Sequence, residues 1–336
     1  MQSREIQLKR RPVGTPIADD FATVTTTVPF PSPGEVQVRN LWMAVDPAMR
    51  GRMSDAKSYV PSFLLDAAME GPAIGEVIAS SDAGFAVGDL VFSRQGWREC
   101  FNAPAAALQH RERGLPPQSY LSFAGSTGLT AYVGLLKIAT LKPDDVVFVS
   151  AASGGVGSIA CQIAKLKGCT VIGTAGGPRK TQFLREDVGV DAAIDYQAEP
   201  SLTKALAREV KALGKTGIDV YFDNVGGDHL QAALAVANPR ARFAICGMIS
   251  QYNLAEAPTV PRNLTQIMVK SIRMEGFIVL DYLDLEPQFL ADVLAWHKAG
   301  QIKSAETVYD GLDHALDAFS GLFTGANLGR TLVKLS

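Results

Sequence analysis

Three glycines, Gly154, Gly155 and Gly157, lie within the stretch "AASGGVG" and offer the first hint of chemistry. They follow the apolar run "DVVFVS" and precede "SIACQIAKLKG", where Ile159, Ile163 and Leu166 recur at helical spacing. Glycines between a strand and a helix let the backbone approach a pyrophosphate and let the helix pack closely on the strand. The helix N-terminus then presents free N–H groups and the positive end of its dipole to phosphate. Ala152 stands where the first glycine of G-x-G-x-x-G is usual, so the letters alone also fit a tight turn with no ligand. The flanking strand and helix favour a nucleotide.

The next strand decides which nucleotide. Sites for NAD place Asp or Glu about 20 residues past the glycines, on the ribose 2′-OH. Here the stretch Gly173 to Lys180, "GTAGGPRK", holds no carboxylate. Arg179 and Lys180 instead bring positive charge where a 2′-phosphate would need it. Cations at a helix start are unfavourable unless an anion joins them. The expected cofactor is NADPH.

No metal chemistry is indicated. The four histidines, His110, His229, His297 and His314, are not paired with one another or with a Cys at ligand spacing, and they read as surface or helix-face residues. The four cysteines, Cys100, Cys161, Cys169 and Cys246, form neither a disulfide framework nor a C-x-x-C pair. Cys161 reads as a buried thiol on an apolar helix face, and Cys246 as the end of a buried strand. No G-x-S-x-G signature is present, and the pairs Asp19–Asp20 and Asp144–Asp145 read as solvated loops.

The elements that must position these residues form two domains, as 336 residues allow. Up to about residue 120, short Val-, Ile- and Phe-containing runs such as "AIGEVIAS" and "FAVGDLVFS" are punctuated by Gly and Pro, which predicts a β-rich domain. From "SFAGSTGLTAYVGLL" onward strands alternate with helices, which predicts a doubly wound parallel sheet. "TLVKL" near the end alternates like a strand returning to the first domain. The expected fold class is α/β, with one domain over 1–121 and 298–336, a second over 122–297, and a cleft between them. A net charge of −2 leaves no footprint for nucleic acid or an anionic membrane. No apolar run is long enough to span a bilayer and no secretory signal is read, so the expected location is cytoplasmic.

In this light seven segments resemble the zinc-independent medium-chain dehydrogenase/reductases, in the prostaglandin, 2-alkenal and curcumin reductase branch. They are "VDPAMRGRMSD", "GLTAYVGLL", "GGVGSIACQIAKLKGCTVIGTAGGPRK", "YFDNVGG", "AICGMISQYN", "IRMEGFIV" and "ANLGRTLVKL", and the likeness covers essentially the whole chain. The resemblance implies a GroES-like domain, a Rossmann domain, a homodimer, and NADPH-dependent reduction of the C=C bond of α,β-unsaturated aldehydes and ketones. It places the phosphate turn at Gly154, Gly155, Val156 and Gly157, the 2′-phosphate at Lys180, and the adenosine end beside Tyr196. Asn224, Cys246, Gly247, Met248, Ile249, Ser250 and Tyr252 would line the nicotinamide half, completed by Phe277, Ile278, Val279 and Asn327. Each of these has a plainer explanation as a cap, turn or surface residue; together and in order they favour the cofactor.

Two positions depart from the branch. Ala48 in "DPAMR" replaces a tyrosine common in relatives, and Val269 stands where some relatives have another, so the substrate pocket is expected to be larger or less polar. Polarising the carbonyl of an enone needs donors, and Tyr252 and Tyr59 are the candidate hydroxyls, each with an alternative as a packing aromatic. The rival functions are an NADPH quinone reductase and a non-catalytic NADPH-binding protein. Substrate choice is expected to reside near Tyr59 and in residues 250–265.

Overall fold

The structure, a computed structural model, describes residues 1–256, 258 and 260–336. It divides into two compact units, Met1–Ser122 with Glu306–Ser336, and Phe123–Ala305.

The apolar runs of the second unit become a parallel sheet because both of their faces are covered. Val146–Val149 is buried at every position. Across the sheet the strands lie in the order Ala192–Asp195, Thr170–Ala175, Val146–Val149, Ile218–Asp223, Ala237–Ile245 and Arg273–Gly276, each neighbouring pair parallel. This is the doubly wound arrangement, whose order reverses beside Val146–Val149, and ligands of such sheets bind beyond the carboxyl ends of the strands at that reversal. Phe148 stacks on Tyr221 at 5.1 Å, and Tyr221 meets Phe243 edge-on at 5.3 Å, joining three central strands in one core. The helix Gly155–Leu166 follows the strand Val146–Val149 and buries Ile159, Cys161 and Ile163.

The first unit is antiparallel for the most part. Gln2–Leu8 pairs with Phe21–Thr27, and Glu35–Ala44 anchors a larger sheet through Ala73–Ser80 and Cys100–Pro104. The C-terminal strand Arg330–Lys334 joins that sheet antiparallel to Glu35–Ala44, with Val333 opposite Met43. Trp97, Met43, Val333 and Phe319 are buried together in its core.

Residues 298–305, expected with the first domain, group with the second unit instead. The side chain of Gln162 donates to the Lys303 carbonyl at 3.0 Å and accepts from its N–H at 2.8 Å, and Ile302 is buried. This pairing holds the segment after the helix Glu286–Lys298 against the helix Gly155–Leu166. The paired acids also differ from solvated loops. Asp20 is buried, bonded to Arg10 and to the Ile17 N–H, and Asp145 is buried beside Arg242 and accepts from the Lys142 N–H. In each pair the second aspartate ties a turn together. Among the described residues no helix is long and apolar enough to cross a membrane.

Candidate dinucleotide site

The strand Val146–Val149 runs through Ser150 into a turn whose tightness the glycines permit. Ala151 has φ of +46°. A Cβ on Gly157 would lie 2.3 Å from the Ala151 carbonyl oxygen and 2.8 Å from Ala152 Cα, so only glycine lets the helix start this close to the strand. A Cβ on Gly154 would meet only the same carbonyl oxygen, at 3.3 Å. Among the described residues no side chain caps this helix, and its first turn holds no acidic residue. The N–H groups of Gly155, Val156 and Gly157 therefore lack intrahelical partners, and among the described residues nothing else accepts from them. Open amides on a positive helix end are the donor set that a pyrophosphate fits.

The strand Thr170–Ala175 ends in Gly176 and Gly177, the latter at φ of +86°, and leads into the helix Pro178–Phe183. Arg179 is exposed and Lys180 half-buried. Among the described residues neither has a carboxylate partner, and burial, followed by the neighbouring charge of Arg179, lowers the Lys180 pKa. Two cations left in this state suit a dianionic phosphate. The loop is braced from the adjacent strand: Asp195 accepts from the Gly177 N–H at 2.9 Å and from the Gln197 N–H at 3.1 Å. Tyr196 follows Asp195, its N–H bonded to the Ala175 carbonyl at 3.2 Å.

At the end of Ile218–Asp223 a buried network orders the backbone. One oxygen of Asp223, Oδ1, accepts from the Tyr221 hydroxyl at 2.7 Å, the Ser150 hydroxyl at 3.2 Å, the Val225 N–H at 2.9 Å and the Gly226 N–H at 2.8 Å. Oδ2 is buried and has no partner among the described residues. Burial raises the carboxyl pKa, and these donors oppose the rise. The Asn224 side chain donates to the Ser150 carbonyl at 2.7 Å, so it clamps two strand ends together and does not cap a helix. Cys246 and Gly247 both donate their N–H to the Asp223 carbonyl, and Ile249 donates to that of Asn224. Ser250 donates its N–H and its hydroxyl to the Val225 carbonyl. The loop after Ala237–Ile245 is thus moored to the end of Ile218–Asp223. Burial, and then the charge of Asp223, pushes the Cys246 thiol up to about 12, which leaves it an unreactive thiol.

Tyr252 closes this loop on itself, its hydroxyl accepting from the Met248 N–H at 3.2 Å. Phe277 follows the last strand and meets Phe222 edge-on at 6.3 Å, with Ile278 and Val279 half-buried beyond it. The structure therefore gathers the glycine turn, Lys180, Tyr196, Asn224, the Cys246–Ser250 segment and Phe277 at the carboxyl ends of six parallel strands. In the first unit, Tyr59 is 57% exposed, and Ala48 precedes the short helix Met49–Arg52. Asn327 turns the chain, donating to the Gly329 carbonyl at 3.2 Å. Val269 is exposed. Of the segment 250–265, Ala257 and Thr259 lie outside the described residues.

The network of Ser150 and Asp223 and the burial of His229 carry no local signal in the sequence. "YFDNVGG" and "VVFVS" contain the first two, but their role is visible only once the two strands are neighbours. His229, expected at a surface or helix face, is buried at 6% exposure, and its Nε2 has no partner among the described residues. Burial lowers its pKa to about 4 against the opposing charge of Asp228.

Residues 4–110 match the family described as the N-terminal domain of oxidoreductase, and residues 155–296 the family described as zinc-binding dehydrogenase. A putative NADP-dependent oxidoreductase of Bacillus subtilis is 42% identical over 336 residues, covering 99% of this chain and 98% of its own. The chain belongs to the medium-chain dehydrogenase/reductase superfamily. Within it, the fit is to the branch of alkenal, curcumin and prostaglandin reductases. A 2-alkenal reductase (NADP+-dependent) of Nicotiana tabacum is 39% identical over 342 residues, with 100% of this chain and 98% of that one covered. The crystal structure of CurA from Vibrio vulnificus in complex with NADPH matches with a TM-score of 0.93 at 40% identity, covering 99% of both chains. Although one family description names zinc, the described residues of this superfamily member contain no group of three His, Cys, Asp or Glu placed to hold a metal.

Proposed function

We propose that this protein is an NADPH-dependent reductase of the C=C bond of α,β-unsaturated ketones and aldehydes, delivering hydride to the β-carbon without a metal. The observation that carries the cofactor is the pair of cations, Arg179 and half-buried Lys180, which among the described residues have no carboxylate partner, together with the helix Gly155–Leu166, whose first amides are open among those residues. The similarity to 2-alkenal and curcumin reductases supports the substrate class.

When bound, NADPH supplies the hydride. The chain's own residues do the rest. The amides of Gly155, Val156 and Gly157 hold the pyrophosphate, Lys180 and Arg179 the 2′-phosphate, and Tyr196 stands beside the adenosine. Asn224 and the Cys246–Ser250 loop, moored through Asp223 and Ser150, give the nicotinamide half a rigid wall with Phe277, Ile278 and Val279. Such preorganisation keeps the reacting atoms oriented and excludes water. Tyr252 and Tyr59 are the proposed hydroxyls that polarise the substrate carbonyl, and solvent supplies the proton to the α-carbon. Ala48 and Val269, without aromatic hydroxyls, leave a roomier and less polar place for substrate. The proposed assembly is a homodimer in the cytoplasm.

Incubation with NADPH and 3-nonen-2-one, followed at the reduced nicotinamide band, tests the assignment. NADPH oxidation with formation of the saturated ketone is expected. Turnover of quinones alone would assign a quinone reductase, and NADPH binding without turnover of any enone, enal or quinone would overturn the enzyme assignment.

A further inference from the structure

His229 is used by none of the steps above, yet it lies inside the dinucleotide-binding unit. It sits in the first turn of the helix Gly227–Val236, after the moored segment Asp223–Gly226. Its ring packs edge-on to Tyr196, with centroids 5.1 Å apart and planes at 73°. Tyr196 is 41% exposed, so one side of it is open, while the imidazole touching it is buried. The Tyr196 hydroxyl reaches the neighbouring turn, where a Cβ on Gly176 would stand 3.1 Å from it. That glycine opens the turn into the helix Pro178–Phe183, which carries Arg179 and Lys180. A line of neighbours therefore runs from the helix Gly227–Val236, through His229 and Tyr196, to the turn at Gly176, where the missing Cβ leaves room for the hydroxyl.

An exposed tyrosine on a loop has rotamers to lose when a ligand stacks on it, and that loss weakens binding. A buried aromatic edge against the ring selects an orientation in advance. Resting on the proposed function above, in which Tyr196 lies beside the adenosine, we propose that His229 is a positioning residue for the adenosine end of the cofactor site, holding the Tyr196 ring ready for its ligand. It touches neither the reacting carbons nor the hydride in this scheme, so it acts on affinity and not on the chemical step.

The test separates the two halves of the cofactor. Binding of 2′,5′-ADP, of NMNH and of NADPH is measured by calorimetry or fluorescence for the wild type and for His229→Ala, His229→Phe and Tyr196→Ala. An edge-to-face contact of this kind corresponds to roughly threefold to tenfold in affinity. His229→Ala is expected to weaken 2′,5′-ADP and NADPH by that factor, to leave NMNH unchanged, and to raise KM for NADPH at constant kcat. His229→Phe, which keeps an aromatic edge, is expected to restore affinity to within about twofold of wild type. If circular dichroism shows His229→Ala unfolded, His229→Leu, which keeps volume without the aromatic edge, carries the same expectation. Weakening by Tyr196→Ala but not by the His229 variants would overturn the role of His229 alone. Unchanged 2′,5′-ADP binding in Tyr196→Ala would instead overturn the placement of the adenosine.

Discussion

Replacing Lys180 by alanine should convert a strong preference for NADPH over NADH into a weak one. Lys180 is half-buried, lacks a carboxylate partner among the described residues, and has its pKa lowered by burial and by Arg179. A hydrogen bond from such an ammonium group to phosphate is worth about 1.5–3 kcal/mol, or roughly 10- to 150-fold in affinity. Arg179 is exposed, and its contribution should be screened to about 1 kcal/mol or less, at most about fivefold. KM and Kd for NADPH should therefore rise by roughly 10- to 150-fold in Lys180→Ala and by at most about fivefold in Arg179→Ala. Both should stay within about twofold for NADH, which has no 2′-phosphate to lose. Without cofactor the sign reverses. The same burial and neighbouring charge that lower the Lys180 pKa oppose its charged form, so Lys180→Met should melt at a higher temperature than wild type in the absence of ligand. Cofactor titrations at two salt concentrations, beside a melting curve of the unliganded protein, measure both effects. Equal weakening of NADPH and NADH would refute the assignment of Lys180 to the 2′-phosphate.

Further outcomes follow from the same geometry. Gly157→Ala should cost about 1–3 kcal/mol of stability and abolish NADPH binding, because its Cβ would press 2.3 Å from the Ala151 carbonyl. Gly154→Ala, whose Cβ would stand 3.3 Å from that oxygen, should melt near wild type yet bind NADPH more weakly; thermal melts with and without NADPH distinguish the pair. His229 has a folded pKa of about 4, below its ordinary value of 6.5, so the unfolded chain binds the extra proton first as pH falls. Stability should therefore be full above pH 6.5 and decline toward pH 4, by roughly 3 kcal/mol from this group, and His229→Phe should flatten that part of a urea-denaturation pH series. Tyr252→Phe should lower kcat about 10- to 100-fold with NADPH affinity held within about twofold, if its hydroxyl polarises the carbonyl; an unchanged kcat would refute that role.

The parallel sheet was legible because its signals are local. "VVFVS" is apolar enough to be buried on both faces, and Ile159, Ile163 and Leu166 mark a helix by spacing alone. The tight turn between that strand and helix was legible for the same reason, since Gly157 is required by contacts within six residues of its own position. The Asp223 network was not, because it exists only when Ser150 and Asp223, far apart in sequence, come to neighbouring strand ends. The burial of His229 on its helix was hidden for a related reason. A histidine between Asp228 and Leu230 looks like any helix-face residue until Tyr196, thirty-three positions earlier, packs against it. Asp20 and Asp145 read as solvated because a carboxylate's burial depends on partners such as Arg10 and Arg242 that no spacing rule announces. The end of the second unit was drawn too early because Gln162 holds Lys303 across a long separation.

Under the proposed function, hydride goes to the β-carbon of an enone. The most direct measurement uses NADPH deuterated at C4 of the nicotinamide on the transferred face, with 3-nonen-2-one as substrate and the product read by nuclear magnetic resonance. A saturated ketone with one deuterium on the β-carbon and none on the α-carbon is expected. Deuterium on the carbinol carbon of an allylic alcohol, or oxidation of the cofactor with no deuterium in the product, would contradict it.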